Sequence, residues 1–254
     1  MEYTTEELMI VAASKQIKNK EVVFVGTGLP MLACLVAKAT HAPNLCMLFE
    51  SGIIDPKPLH LAKGVGDFKL LMGAVKSTSL NYVLTLLQGG YIDVGFLGAA
   101  EVDQYGNINS TFIGGNYEKP KLRLPGSGGA NDIASNAKRT VVIMPHQKRK
   151  FKKNISYLTT PGFLKGGNSR FEAGLTGGGP SNIITDKAIL DFEPSSKKMR
   201  LVAIHPGVSI EEVQGLTGFE LIIPRDVTIT PEPSETELEI IRNLDTEGIY
   251  INKQ

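Results

Sequence analysis

The chain has 254 residues, 42% hydrophobic and 21% charged, which is room for one large α/β domain or two small ones with a buried core. Its 27 basic and 26 acidic residues nearly cancel, which excludes a broadly basic nucleic-acid surface but not a local basic pocket. No run reaches the roughly 18 consecutive apolar residues of a membrane span, and the opening MEYTTEELMIVAASKQ has no basic lead into an apolar stretch. A cytoplasmic protein without a signal peptide is therefore expected.

In chain order, the first element is a helix. Thr4 and Glu7 stand at capping-box spacing, and Leu8, Val11, Ala12 and Ile17 follow roughly along one face. Val22 to Val25 is a β-branched strand ending in Gly26-Thr27-Gly28. Leu29-Pro30 then opens an apolar helix to about Ala39, with Pro30 suited to its first turn. Leu45 to Phe49 reads as a second buried strand. Strand, helix and strand joined by short connections form a βαβ unit, which requires parallel strands and a right-handed crossover. Cys34 and Cys46 fall in these apolar elements without a CxxC partner, so two buried free thiols are expected and no metal site.

A helix near Leu80 to Gln88 and a strand near Ile92 to Leu97 continue the alternation, and Thr140 to Met144 is the clearest later strand. Pro161 to Pro180 is rich in glycine and reads as a long loop or lid. Strands return at Ile183 to Ile184 and at Leu201 to Ile204. A last helix begins at Ser234, with Glu237 at capping-box spacing. No internal repeat interrupts the pattern. The fold class expected is α/β, a three-layer open and mostly parallel sheet, with residues 1–254 forming one domain.

Candidate chemistry gathers at strand ends and glycine turns. Glu50 directly follows the second strand and precedes Ser51-Gly52. Ligands bind outside the carboxyl ends of parallel strands, so a carboxylate there is placed like a catalytic group. By position alone it is equally a helix cap or an arginine partner. Gly126-Ser127-Gly128-Gly129-Ala130-Asn131-Asp132 precedes a helix expected to start at Ile133; its backbone N–H groups could meet an anion, or it is a plain turn. Gly26-Thr27-Gly28 leaves the same two readings open. His146 reads as a structural histidine, and Glu101 and Asp103 as ordinary residues of a turn. The run Lys148-Arg149-Lys150-Phe151-Lys152-Lys153 reads as a solvated basic face or a subunit contact rather than a coenzyme site.

Phe49-Glu50-Ser51-Gly52-Ile53-Ile54-Asp55 resembles the Glu-Ser-Gly motif in β subunits of glutaconate CoA-transferases, within the family I coenzyme A transferases. It is also similar to the Ser-Glu-Asn-Gly signature of 3-oxoacid CoA-transferases, departing from it at Phe49 and Ser51. Blocks around it look like the same family and keep its order. They are Val25 to Pro30, Asp103 to Thr111, Gly126 to Asn131, Met144 to Arg149 and Tyr157 to Gly162.

The resemblance implies the fold shared with ribose-5-phosphate isomerase and glucosamine-6-phosphate deaminase. It implies a separate α subunit, an active site at the α/β interface, and coenzyme A as substrate with no permanently bound cofactor. Glu50 is then the nucleophile of a ping-pong transfer through a glutamyl-CoA thioester. A carboxylate suits that role because it needs no deprotonation at neutral pH. Gly129 is the oxyanion-hole donor by the same resemblance, with Gly128 leaving the backbone clear, and Gly26, Gly28, Gly126 and Ser127 meet the coenzyme. Two other readings remain: an acyl-CoA hydrolase or decarboxylase on the same fold, and a non-catalytic partner subunit.

Overall fold

A computed structural model describes residues 2–251. By its packing the chain forms two compact units, one drawn from Met1–Leu97 and Pro231–Gln254, the other from Gly98–Thr230.

The first unit opens with α1 (Thr5–Ser14). Its capping box is closed both ways: Thr4 Oγ1 accepts the Glu7 N–H at 3.2 Å, and the Glu7 carboxylate accepts the Thr4 N–H at 2.8 Å. The helix is not one-sided as expected, since every residue from Glu7 to Ser14 is buried. Next come β1 (Val22–Phe24), α2 (Leu29–Ala39), β2 (Cys46–Leu48), β3 (Ile53–Ile54), β4 (Lys76–Ser77), α3 (Leu80–Gln88) and β5 (Val94–Leu97). β1 runs parallel to both β2 and β5, with Val22 opposite Cys46, Phe24 opposite Leu48 and Val23 opposite Val94. This is the βαβ arrangement that the sequence pattern requires. β3 and β4 add short antiparallel strands beyond β2. Cys34 is buried and Cys46 half-buried, both as free thiols, and burial pushes both pKa values up.

The second unit carries two small hairpins, β6 (Glu101–Val102) with β7 (Ile108–Asn109) and β8 (Phe112–Gly115) with β9 (Pro120–Arg123). It continues through α4 (Ala130–Asn136), β10 (Arg139–Ile143), α5 (Ser169–Glu172), β11 (Pro180–Ile184), β12 (Ala188–Phe192), β13 (Met199–Ile204), α6 (Ile210–Gly215) and β14 (Thr228–Ile229). β10 and β11 pair in parallel, β12 joins them through antiparallel pairs to β13, and β14 lies parallel to β13. Val141, Val142, Ile183, Ile184, Leu190 and Leu201 are fully enclosed and form this unit's core. The fold class is therefore the α/β, mostly parallel one expected, extended by antiparallel hairpins that the sequence pattern does not reveal. The chain returns to the first unit with α7 (Glu235–Leu244), whose Ser234–Glu237 capping box is closed as predicted. Arg242 of α7 reaches Glu7 of α1 at 2.7 Å. Burial works against the Glu7 charge, but the bonds from Arg242 and Thr4 outweigh it and hold its pKa below the ordinary range.

The glycine-rich stretch 161–180, expected to be a loop or lid, is interrupted by the short helix α5 and ends in β11, and it is pinned in place. Arg170, 5% exposed, donates from Nε to the Gly177 carbonyl at 2.8 Å and from Nη1 to the Gly162 carbonyl at 2.9 Å. Its Nη2 donates to the carbonyl of Ala134 near the end of α4. These partners are all neutral carbonyls, and burial draws the guanidinium pKa down to about 10.

His146 is enclosed, as a structural histidine should be. It stacks on Phe151 with ring centroids 4.1 Å apart and lies 2.9 Å from Thr217 Oγ1 and 3.2 Å from Thr185 Oγ1. Burial holds its pKa down to about 4, and His205 is lowered for the same reason. A histidine whose folded pKa lies below its unfolded value adds stability that is complete above about pH 6.5 and drains away toward pH 4. Between pH 7 and pH 5 the His146 contribution should fall by about 2 kcal/mol. Urea unfolding at those two pH values should show this loss, and His146→Gln should be less stable at pH 7 yet show a flatter pH dependence.

Candidate active site

The parallel register of β1 and β2 sets out the site in the first unit. Phe24 pairs with Leu48, and the Val25 N–H still donates to the Leu48 carbonyl at 2.9 Å. Gly26 and Glu50 each lie two residues past that pair, on strands whose spacing is about 4.8 Å. Both therefore stand at the carboxyl ends of neighbouring parallel strands, where α/β proteins bind ligands.

Beyond β2 the chain turns at once. The Gly52 N–H donates to the Phe49 carbonyl at 2.9 Å, and the Phe49 N–H donates to the Ile53 carbonyl at 2.9 Å. Glu50 and Ser51 are the two central residues of this turn. Gly52 has φ +95°, and a Cβ there would lie 2.2 Å from the Thr78 carbonyl oxygen. The Thr78 N–H also donates to the Gly52 carbonyl at 2.9 Å, so the turn is clamped against the backbone that leads into α3. Only glycine fits both the backbone angle and the contact.

Glu50 is half-buried, and among the described residues no hydrogen bond or ion pair engages its carboxylate. Its neighbour Asp55, by contrast, is ion-paired with Lys38. Ser51 Oγ is buried without a partner.

Gly26 has open space where a side chain would stand, and Gly28, at φ +92°, is the N-cap of α2 without a side-chain cap. The structure thus brings Glu50, Gly26 and Gly28 together. It also adds a residue that sequence reading missed. Tyr250 has its ring 3.9 Å from where a Cβ on Gly28 would lie, and its hydroxyl donates to the Ala62 carbonyl. No local pattern connects position 250 to position 28; their proximity is purely tertiary.

In the second unit Gly126, Ser127, Gly128 and Gly129 form one turn. The Gly126 N–H donates to the Ser110 carbonyl at 2.9 Å, and Ser110 Oγ donates to the Gly126 carbonyl at 2.8 Å. Gly126 and Gly128 both have positive φ, +99° and +47°. The Gly129 N–H has no acceptor among the described residues. α4 begins right after it at Ala130, three residues earlier than the sequence pattern placed the helix. An open cavity of about 520 Å³ borders this turn, lined by Gly126, Ser127, Thr111, Asn131, Tyr117 and Tyr157 among others.

The acidic candidates Glu101 and Asp103 are tied into hydrogen bonds within their own segment and its neighbours. The Glu101 carboxylate is buried and takes bonds from Asn109 Nδ2 at 2.7 Å and the Ser156 N–H at 2.8 Å. Asp103 accepts from the N–H groups of Tyr105 and Asn107 at 2.8 and 3.0 Å; burial raises its pKa against the effect of those bonds. In the basic run Lys148, Arg149 and Lys153 are exposed, and Phe151 alone is fully enclosed.

A half-buried carboxylate on a strand-end turn and a separate glycine turn whose Gly129 N–H has no acceptor are thus both present among the described residues. The chain belongs to the coenzyme A transferase family, whose model matches residues 6–215. It is 43% identical over 244 residues to a subunit of 3-oxoadipate CoA-transferase from Pseudomonas knackmussii, covering 96% of this chain and 94% of that protein. It is 39% identical over 244 residues to a subunit of glutaconate CoA-transferase from Acidaminococcus fermentans, covering 93% and 91%. The crystal structure of the Acidaminococcus fermentans glutaconate coenzyme A-transferase matches with TM-score 0.93 at 36% identity, over 99% of this chain and 98% of that one. The decarboxylase AibA/AibB matches with TM-score 0.84 at 28% identity, over 97% of each chain.

The clamp on the turn is directly testable. Gly52→Ala should cost about 3 kcal/mol or more in urea unfolding, because backbone must move to admit the methyl group. Ser51→Ala removes a buried hydroxyl that has no partner, and should be neutral or stabilise by about 1 kcal/mol.

Proposed function

We propose that this chain, over residues 1–254 as one functional subunit, is the β subunit of a two-subunit CoA transferase. It would move coenzyme A between an acyl-CoA and a carboxylic acid, with Glu50 as the nucleophile. The observation that carries this reading is the Glu50 carboxylate, half-buried and without a partner among the described residues, on a clamped turn at the end of parallel strands. The carboxylates of Glu7, Glu101 and Asp55, by contrast, are matched. Membership of the family and likeness to the corresponding subunits of two CoA transferases support the same reading. Their names, 3-oxoadipate and glutaconate, point to a dicarboxylic acid among the substrates.

In the proposed mechanism a Glu50 oxygen attacks the thioester carbonyl, the C–S bond breaks, and an acyl–glutamyl anhydride and CoA thiolate result. The thiolate attacks the Glu50 Cδ and expels the first acid as its carboxylate, leaving a glutamyl-CoA thioester. The acceptor carboxylate attacks that thioester, and the released thiolate then takes the acceptor's acyl carbon and frees Glu50. No step consumes water or needs a general base, which fits a site built on a carboxylate alone.

The Gly129 N–H, free of any acceptor among the described residues, is proposed as the donor to the developing oxyanion, with Gly128 keeping the approach clear. Gly26, Gly28, Gly126 and Ser127 are proposed to border the coenzyme, which enters as substrate and not as a resident group. Among the described residues no helix is long and apolar enough to cross a membrane, in keeping with a proposed cytoplasmic site of action.

The AibA/AibB likeness keeps a decarboxylase within the reach of the fold, and Glu50 is what favours transfer here. With the cognate α subunit, acyl-CoA given without acceptor should leave a CoA adduct that peptide mapping places on Phe49-Glu50-Ser51. Glu50→Gln should abolish both adduct and transfer, because an amide is a poor nucleophile. An adduct elsewhere, or full transfer by Glu50→Gln, would refute the assignment. Gly129→Val is expected to lower kcat about 100-fold if its N–H serves the oxyanion; unchanged turnover in a folded variant would leave that turn structural.

A further inference from the structure

The segment after α7 is organised by one carboxylate. Asp245, 3% exposed, accepts the N–H groups of Ile249, Tyr250 and Ile251 at 2.7, 2.9 and 2.8 Å. Three backbone bonds to one side chain fix the path of the chain there and aim the Tyr250 ring back toward β1. The Tyr250 hydroxyl donates to the Ala62 carbonyl, and its ring lies 3.9 Å from where a Cβ on Gly28 would stand.

What it joins is more telling than the bonds themselves. On one side is the Gly26–Gly28 turn, where α2 starts without a side-chain cap and Gly26 faces open space. On the other is the loop Ala62-Lys63-Gly64-Val65-Gly66-Asp67, in which Gly64 and Gly66 also face open space. Asp67 closes that loop by accepting the Lys63 N–H at 3.1 Å and the Lys69 N–H at 3.0 Å. Two glycine segments with bare backbone thus meet one tyrosine, its ring beside Gly28 and its hydroxyl on Ala62, next to the strand end that carries Glu50.

We propose that Tyr250 is a positioning residue for CoA transfer. Its ring lies against Gly28 while its hydroxyl holds the Ala62 carbonyl, so it sets the spacing of the Gly26–Gly28 turn and the Ala62–Asp67 loop and shapes the backbone over which acyl-CoA reaches Glu50. The proposal rests on Glu50 as the nucleophile. It makes the C-terminal turn part of the active site's framework. Tyr250 acts through the two segments, without itself touching the reacting atoms.

The test uses the assembled enzyme with its α subunit. Tyr250→Phe keeps the ring and removes the hydroxyl. It should leave the melting temperature of the assembly within about 2 °C. The rate of adduct formation on the Glu50 peptide from acyl-CoA alone, and kcat/KM for acyl-CoA, should both fall about 10-fold. Wild-type rates in Tyr250→Phe would overturn the proposal. So would a loss of activity matched by an equal loss of folded assembly, since that is a packing role alone. If the wild-type enzyme forms no adduct at Glu50, the nucleophile reading fails. If it does, and Tyr250→Phe forms it equally fast, only the role given to Tyr250 fails.

Discussion

One contact between backbones determines where the reactive carboxylate stands. Gly52 lies so close to the Thr78 carbonyl that a side chain would sit 2.2 Å from it, and the two residues are also joined by a 2.9 Å hydrogen bond. That contact holds the Phe49–Gly52 turn against the segment entering α3, and the turn in turn presents Glu50. A nucleophile works only when held in the right place, and misplacement by about an ångström can cost two orders of magnitude in rate. A flexible loop would not meet that demand. A turn anchored at β2, β3 and Thr78 does.

Several other carboxylates among the described residues are committed to partners, as Glu50 is not. Glu7 is bound by Arg242 and closes a capping box, Glu101 takes three bonds from Asn109 and Ser156, and Asp245 gathers three backbone N–H groups. Each satisfies a buried polar group or ties elements together, and each is thereby committed. Burial of a charge without partners is unfavourable, so an unmatched, half-buried carboxylate is tolerated only where solvent or a ligand can reach it. The ligand proposed for it is the thioester of an acyl-CoA.

The second unit solves a different problem, the support of glycine-rich backbone. Arg170 does so with one guanidinium whose fork of donors meets carbonyls from Pro161, Gly162, Gly177 and the end of α4. Its planar geometry suits several acceptors at once, and lysine would offer no such span. The loop that composition alone marks as mobile is consequently tied to α4, the helix that follows the Gly126–Gly129 turn.

Much of this was legible in the sequence because the signals are local. The Thr4–Glu7 and Ser234–Glu237 boxes, Pro30 in the first turn of α2, and the apolar runs of β1, β2 and β5 all act within a few residues, and the elements form where they point. The βαβ order demands that β1 and β2 be parallel, so the placement of Glu50 beside Gly26 followed from the chain's order alone. Two-residue strands such as β3, β4, β6 and β7 lie below what periodicity can register. The clamp of Gly52 on Thr78, the reach of Arg170 across its loop and the approach of Tyr250 to Gly28 join residues far apart in the chain. Their energetics depend on which atoms folding brings within hydrogen-bond distance, and no local pattern encodes that. The sequence by itself determined which carboxylate to suspect; only the tertiary structure decided that no partner reaches it among the described residues.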